Sequence, residues 1–315
     1  MDMLSLLCVL LTLSFTTASD IVKVDVSSKS EDPYGHLHAY HIVQPIRLEG
    51  NRRKRDLSTR THDKVFHLSQ PSFSIRTPER DFVIDLELNT GLLSDRFIEV
   101  TFDNEGQRRT KKLHPERCYY HGKIRGIDES NVVVHTCRGI NGMIHDGDEI
   151  HYIEPHIHDD RDTPQNHVVY RKSDIKNQPK EMRCGHNSTI KMDHTILKEP
   201  TEAKSRKKRA IPTYNSALST RYVELYSVTD YRTYQRYSSN ITAIRTRAVQ
   251  LANTMDSIYK TMNVRVVLVA VEVWSSSDKA TVSTDEDATV DAFCHYKENN
   301  LPMKILDYDN AQLLM

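Results

Sequence analysis

The chain has 315 residues, 38% apolar and 27% charged, enough to bury one large core or two modest ones and too apolar for a disordered chain. Lys+Arg and Asp+Glu balance at 43 each, so no global charge excess points to nucleic acid or an anionic membrane surface, and any basic patch must be local.

Residues 4–15 form an almost unbroken apolar run, and the small residues Thr16, Thr17, Ala18 and Ser19 follow before Asp20. This is the layout of a secretory signal peptide over residues 1–19, although Met1-Asp2-Met3 lacks the usual basic residue. The run is shorter than the roughly 20 residues that cross a bilayer, and no later run reaches that length. Of the five cysteines, Cys8 falls in the signal segment, which leaves Cys118, Cys137, Cys184 and Cys294 in an oxidising compartment. Four thiols allow three pairings. Cys118 and Cys137 share one strand-rich stretch and make the natural local bridge. Cys294 is left as a buried free thiol or the partner of a cysteine outside this sequence. Asn187-Ser188-Thr189 and Asn240-Ile241-Thr242 are glycan acceptor triplets that fit secretion.

From residue 20 to about 61 the chain is polar and His-rich. His36, His38 and His41 alternate there as on a solvated surface, and Arg52-Arg53-Lys54-Arg55 is a first tetrabasic run. Over residues 64–170 the pattern becomes short strands of period two at 82–88, 97–102, 131–135 and 149–153, with turn sequences such as Asn89-Thr90-Gly91 and Asn141-Gly142 between them. A β-rich antiparallel domain is expected, with Cys118 and Cys137 on neighbouring strands. Residues 171–209 carry little periodic apolar content and read as a linker. It closes on a second tetrabasic run, Arg206, Lys207, Lys208 and Arg209. Four adjacent like charges stay solvated and open, which suits a maturation protease as well as a plain charged surface.

Beyond this seam the pattern turns α/β. A strand is expected at 222–228 and a helix at 241–262, with Asn240 or Ser239 as its N-cap. The apolar residues Ile241, Ile244, Ala248, Leu251, Met255, Ile258 and Met262 fall at steps of three and four and predict a single buried stripe. A β-branched strand at 264–274 and a helix near 288–298 follow, which implies a largely parallel sheet flanked by helices. The chain stops at Leu314-Met315 inside an apolar segment, so a domain cut short is expected.

The blocks Arg221-Tyr222-Val223-Glu224-Leu225, Asn263 to Leu268, Glu272-Val273-Trp274 and Asp309-Asn310-Ala311-Gln312-Leu313-Leu314 resemble the first half of an adamalysin (reprolysin) metalloprotease domain. The segment from Cys118 to Pro155, with Tyr119-Tyr120-His121-Gly122, resembles the propeptide of the ADAM and snake-venom metalloprotease family. The resemblance implies an α+β chain: a signal peptide at 1–19, a propeptide at 20–209, and the N-terminal half of a metzincin-type catalytic domain at 210–315. It implies the zymogen of a secreted or membrane-tethered zinc endopeptidase acting on proteins or peptides and matured by a proprotein convertase at Arg209. A catalytically inactive homologue, or a secreted propeptide-type binding protein, is the alternative. The family's zinc motif H-E-x-x-H is absent from this sequence, so these residues alone should neither bind catalytic zinc nor cleave peptides.

Cys184, in Met182-Arg183-Cys184-Gly185, resembles the cysteine switch, in which a propeptide thiolate fills the open fourth position on zinc. Arg183 departs from the usual segment by standing between the Lys-Met-type pair and the cysteine. Cys184 lies 25 residues before Arg209, and at roughly 3.3 Å per extended residue that tether spans any single domain. Glu224 and Asp309 match two ligands of the calcium site found in part of the family; ordinary strand-end carboxylates are the alternative.

Overall fold

The computed structural model describes residues 32–50, 52–54, 56–61, 67–159, 161, 163–177, 219–300 and 308–315. The predicted signal peptide, Cys184, Asn187 and the run Arg206 to Arg209 lie outside the described residues. Before the seam stand β1 (His41–Val43), β2 (Ile46–Glu49), β3 (Arg52–Lys54), β4 (Ser72–Arg76), β5 (Asp81–Leu88), β6 (Leu93–Phe102), β7 (Arg108–Lys112), β8 (Tyr119–Ile124), β9 (Asn131–His135), β10 (Asn141–His145), β11 (Ile150–Pro155) and β12 (His167–Arg171). After it come β13 (Arg221–Thr229), α1 (Tyr231–Arg236), α2 (Ile241–Lys260), β14 (Val264–Val273), α3 (Glu286–Asn300) and β15 (Asn310–Leu314).

Ten of these strands form one antiparallel sheet in the order β1-β12-β11-β10-β9-β8-β5-β4-β2-β3. Period-two alternation drives it. In β5, Phe82, Ile84 and Leu86 point inward while Asp81, Asp85 and Glu87 do not. They meet Phe73, Ile75, Tyr120, Val132, Val134, Ile144 and Val169 in one core. Gly142 has φ +149°, and a Cβ there would stand 2.1 Å from the Val133 carbonyl oxygen, so β10 can lie against β9 only with glycine at this point. The sheet reaches further back than the sequence pattern indicates. β1 pairs with β12 and β2 with β4, although the apolar spacing of residues 41–54 is obscured by charge. Similarly, the segment read as linker begins with Arg171 still in β12, a 3-10 turn at Lys172–Asp174, and a bridge from Ile175 to Leu37.

The second sheet has the order β15-β13-β14-β6-β7. Its β13–β14 and β13–β15 pairs are parallel, as the β-α-β pattern requires. Its other edge is built by the N-terminal part of the chain. β6 runs parallel to β14, with Ala270 opposite Ile98 and Glu272 opposite Val100, and β7 folds back antiparallel on β6. The period of residues 97–102 identifies a strand but not its sheet. The adjacent Phe97 and Ile98 are both buried, the mark of a strand covered on two faces. Phe97 packs with Leu225, Ala248 and Val271, while Ile98 and Val100 pack with Tyr226, Val269 and Trp274. Both cores of the C-terminal part are therefore shared with β6, and each of these buried side chains is worth about 1.5–3 kcal/mol.

Helix α2 is capped by Asn240, whose Oδ1 accepts from the Ala243 amide at 3.0 Å. The cap uses the oxygen and leaves the exposed amide nitrogen, the atom a glycan would take. The predicted stripe is partly corrected: Ile244 and Ala248 are buried, but Ile258 is 39% and Met262 50% exposed. The helix instead buries Asn253, Asp256 and Ser257 on the face that meets β8 and β9. Cys294, on α3, is free and exposed, because α3 turns Phe293 and Tyr296 to the sheet instead.

A small satellite cluster of Tyr34, Leu37, Val168 and Tyr170 covers one flank of the first sheet. Glu154 lies on that flank, opposite Val168 on β12, and burial pushes its carboxyl up to about 7 from 4.5. The folded chain thus holds a proton that the unfolded chain releases between pH 4.5 and 7, so this group's contribution falls as pH rises through that window. Glu154→Gln is expected to stabilise the chain by roughly 1–3 kcal/mol at pH 8 and hardly at all at pH 4. Urea unfolding at the two pH values measures the difference, and an equal effect at both would contradict the assignment.

Candidate functional site

No group of three or more His, Cys, Asp and Glu side chains among the described residues is arranged to hold a metal ion. Glu224 and Asp309 do come together. The Asp309 Oδ2 accepts from the Glu224 amide at 2.8 Å, and the Asp309 amide donates to the Glu224 carbonyl at 2.9 Å. They secure the start of β15 beside β13 and offer two carboxylates where calcium needs six to eight oxygens. No helix among the described residues is long and apolar enough to cross a membrane.

Chemistry that links the two parts of the chain concentrates where α2 lies on β8 and β9. The bridge between Cys118 and Cys137, with Cα atoms 5.3 Å apart, joins the start of β8 to the residue pair just after β9. Its sulfurs and Tyr119 enter the same core as Ile244, Ala248 and Val249 of α2. Next to this apolar contact is a closed polar network. Asp256 is fully buried and holds Arg265 through two bonds, Nε to Oδ1 at 2.9 Å and Nη2 to Oδ2 at 2.8 Å. The Val266 amide donates to Asp256 Oδ1 at 2.7 Å. Burial raises the Asp256 carboxyl, but Arg265 and the Val266 amide outweigh it and hold the group below its ordinary value.

The N-terminal part closes the network from the other side. Asn89, in the turn after β5, donates to Asp256 at 2.8 Å and to Asn253 at 3.0 Å, and accepts from Arg265 at 2.8 Å. The His121 imidazole lies 2.9 Å from the Asn253 carbonyl oxygen, and Asn253 donates to the Tyr120 carbonyl at 3.2 Å. Two further contacts flank it. Ser257 donates to Asn131 at 3.0 Å, and Gln250 meets His135 Nε2 at 2.5 Å. Arg245 pairs with Glu99 of β6 with both side chains largely covered. Burial lowers the His121 pKa and brings His135 down to about 4 from 6.5.

What the arrangement can do is hold the N-terminal segment against the second sheet and the helix α2 that covers it. None of Asn89, His121, His135, Asn253 or Asp256 stands out as a site residue in the sequence. The usable signal is on α2, whose supposedly solvated face carries Asn253, Ser257 and Gln250 in place of the long charged residues that normally meet water.

Comparison with known proteins follows the same division. Residues 221–315 match the model of the reprolysin (M12B) family zinc metalloprotease, and residues 41–125 match the reprolysin family propeptide. The human disintegrin and metalloproteinase domain-containing protein 23 is 35% identical over 242 residues, which are 75% of this chain and 28% of that protein. The mouse disintegrin and metalloproteinase domain-containing protein 11 is 32% identical over 280 residues, 83% of this chain and 36% of that protein. The human protein 9 of the same series is 30% identical over 289 residues, 89% of this chain and 33% of that protein. The chain therefore spans about a third of the length of these relatives.

Proposed function

The chain belongs to the reprolysin (M12B) metalloprotease family, and from that premise we propose that it is the N-terminal region of a zymogen of a secreted or membrane-tethered zinc endopeptidase. Residues up to 209 act as the inhibitory propeptide, and a proprotein convertase releases it after Arg209. Its substrates are proteins or peptides. The observation that supports this reading most is the pairing of β6 with β14: the segment matching a propeptide is built into the sheet matching the protease.

The residues of this chain do not make a zinc site by themselves, since the sequence has no H-E-x-x-H. Zinc, where bound, supplies an activated water for peptide hydrolysis. This chain's contribution would be one soft ligand, the Cys184 thiolate, which would hold zinc in place of the activated water while the propeptide is attached. Calcium held in part by Glu224 and Asp309 would add a tie between β13 and β15.

The test uses the protein translated from the whole reading frame. Secreted material should be cut after Arg209, remain uncut when Arg206 to Arg209 are replaced by alanine, and hydrolyse peptides in a chelator-sensitive manner only once cut. In uncut protein, Cys184→Ala should release activity. Cut protein without chelator-sensitive hydrolysis would place it among inactive homologues that act by binding.

A further inference from the structure

Glu272, on β14, has no exposed surface, yet it collects four donors. Its Oε2 accepts from the Tyr226 hydroxyl at 2.8 Å, and its Oε1 from the Trp274 indole nitrogen at 3.0 Å and the Tyr296 hydroxyl at 2.5 Å. Tyr226 is on β13, Tyr296 on α3 and Trp274 just beyond β14, so these three neutral donors belong to the C-terminal part of the chain. The fourth does not. Arg108, the first residue of β7, reaches Glu272 Oε2 at 2.5 Å, donates to the Tyr226 hydroxyl at 2.8 Å, and uses its other terminal nitrogen on the Asn300 carbonyl at 2.6 Å. Among the described residues Arg108 is the one cation paired with this carboxylate.

The backbone delivers it. β6 pairs with β14 at Val271 opposite Glu99 and Glu272 opposite Val100, and β7 returns with Arg108 opposite Phe102. The hairpin therefore adds main-chain hydrogen bonds along an open sheet edge and sets one guanidinium over the buried carboxylate. Without it, the C-terminal part holds an anion in an apolar site with neutral donors but no counter-charge, which is costly. Arg's planar fork suits a site with acceptors at Glu272, Tyr226 and Asn300, where a lysine would reach fewer.

We propose that the β14 edge together with Glu272 is a receptor site for an arginine-bearing β-hairpin, filled here by residues 93–112, and that it keeps the N-terminal part bound after the chain is cut at the basic seam. The bridge between Cys118 and Cys137 lies wholly before the seam and cannot tether the pieces. The inference rests on the reading of residues up to 209 as a cleavable propeptide, so the test separates the two. In the full chain, Arg206 to Arg209 are replaced by the recognition sequence of a site-specific protease. After cutting, with a chelator present, the N-terminal part is followed as it leaves the immobilised C-terminal part.

The unaltered pair should stay together. Arg108→Met and Glu272→Gln should each release the N-terminal part roughly thirtyfold faster or more. Arg109→Met, whose side chain is exposed and pairs with Asp103 on its own hairpin, should leave the rate unchanged. Melting of the uncut variants checks that they fold. If Arg108→Met does not, Arg108→Lys, which keeps the charge and loses the fork, must still release faster than the unaltered chain. Wild-type release from Arg108→Met, from Glu272→Gln or from that lysine variant overturns the receptor site, as does equal acceleration by Arg109→Met. Failure of a convertase to cut the natural run would instead remove the propeptide reading and leave the receptor site standing.

Discussion

Asp256→Ala is expected to destabilise the intact chain by about 3–5 kcal/mol, the range for removing one partner of a buried ion pair. The magnitude follows from what is left behind. Arg265, a quarter exposed, would lose both of its bonds to the carboxylate, while the buried Val266 amide would lose its acceptor and the buried Asn89 one of its two acceptors. The position is also unfavourable without its partners, because a carboxylate one turn from the end of α2 opposes the helix dipole. Arg265, at the start of β14, reverses that sign and fixes the angle at which the helix hands over to the strand. Asp256→Asn keeps an acceptor and the volume while losing the charge, so about half the cost is expected. Urea unfolding followed by circular dichroism measures both. A loss below about 1 kcal/mol for the alanine variant would show that the network is satisfied by water and does not join the two parts.

The contrast between what was legible in the sequence and what was not follows the range of each physical signal. Strand and helix periods are local, so β5, β9, β13, β14 and α2 can be read within a residue or two of their observed ends. The Asn240 cap is local as well, and its side chain sits where the pattern places it. Cys118 and Cys137 come together because the strands they border are sequence neighbours and pair antiparallel, Tyr119 opposite His135. Sheet membership is not local. Nothing in Phe97-Ile98-Glu99-Val100 says that its partner is Ala270 to Glu272, some 170 residues later, and only the two adjacent buried apolar side chains hint at a strand covered on both faces. For α2 a stripe of apolar residues locates one buried face. The other face is buried by a partner from elsewhere in the chain, and polar residues that are satisfied in a network look like solvated ones. The interface residues Asn89, His121 and His135 are invisible for the same reason: each acquires its role from a group more than a hundred residues away.

Acidification should loosen this same interface. His135 is buried with its Nε2 taken up by Gln250, its Nδ1 unpartnered, and the Tyr119 ring 5.6 Å away; burial holds its pKa near 4, with Glu116 as the charge that opposes the shift. His121 is lowered in the same direction by burial. Lys260 and Arg265 push the same way, while its bond to the Asn253 carbonyl and the Asp256 carboxylate 4.0 Å away offset part of it. For a depressed histidine the sign is definite. Above pH 6.5 neither state carries the proton and stability is flat. Between 6.5 and 4 the unfolded or separated state binds a proton that the packed state refuses, so stability falls as pH falls. For His135 alone the loss at pH 5 is about 2 kcal/mol relative to pH 7.5, and His121 adds to it. The expected result is a lower melting temperature at pH 5 than at pH 7.5. In a chain cut at the seam, the N-terminal part should also leave faster at the lower pH. His135→Gln removes the titration and keeps a side chain able to meet Gln250, so it should flatten the profile between pH 7.5 and 5. Glu154 titrates over an overlapping window with the opposite slope, and the Glu154→Gln background isolates the histidine effect. A melting temperature independent of pH in that background would mean that His135 is hydrated in solution, and the polar seal over α2 would then be open.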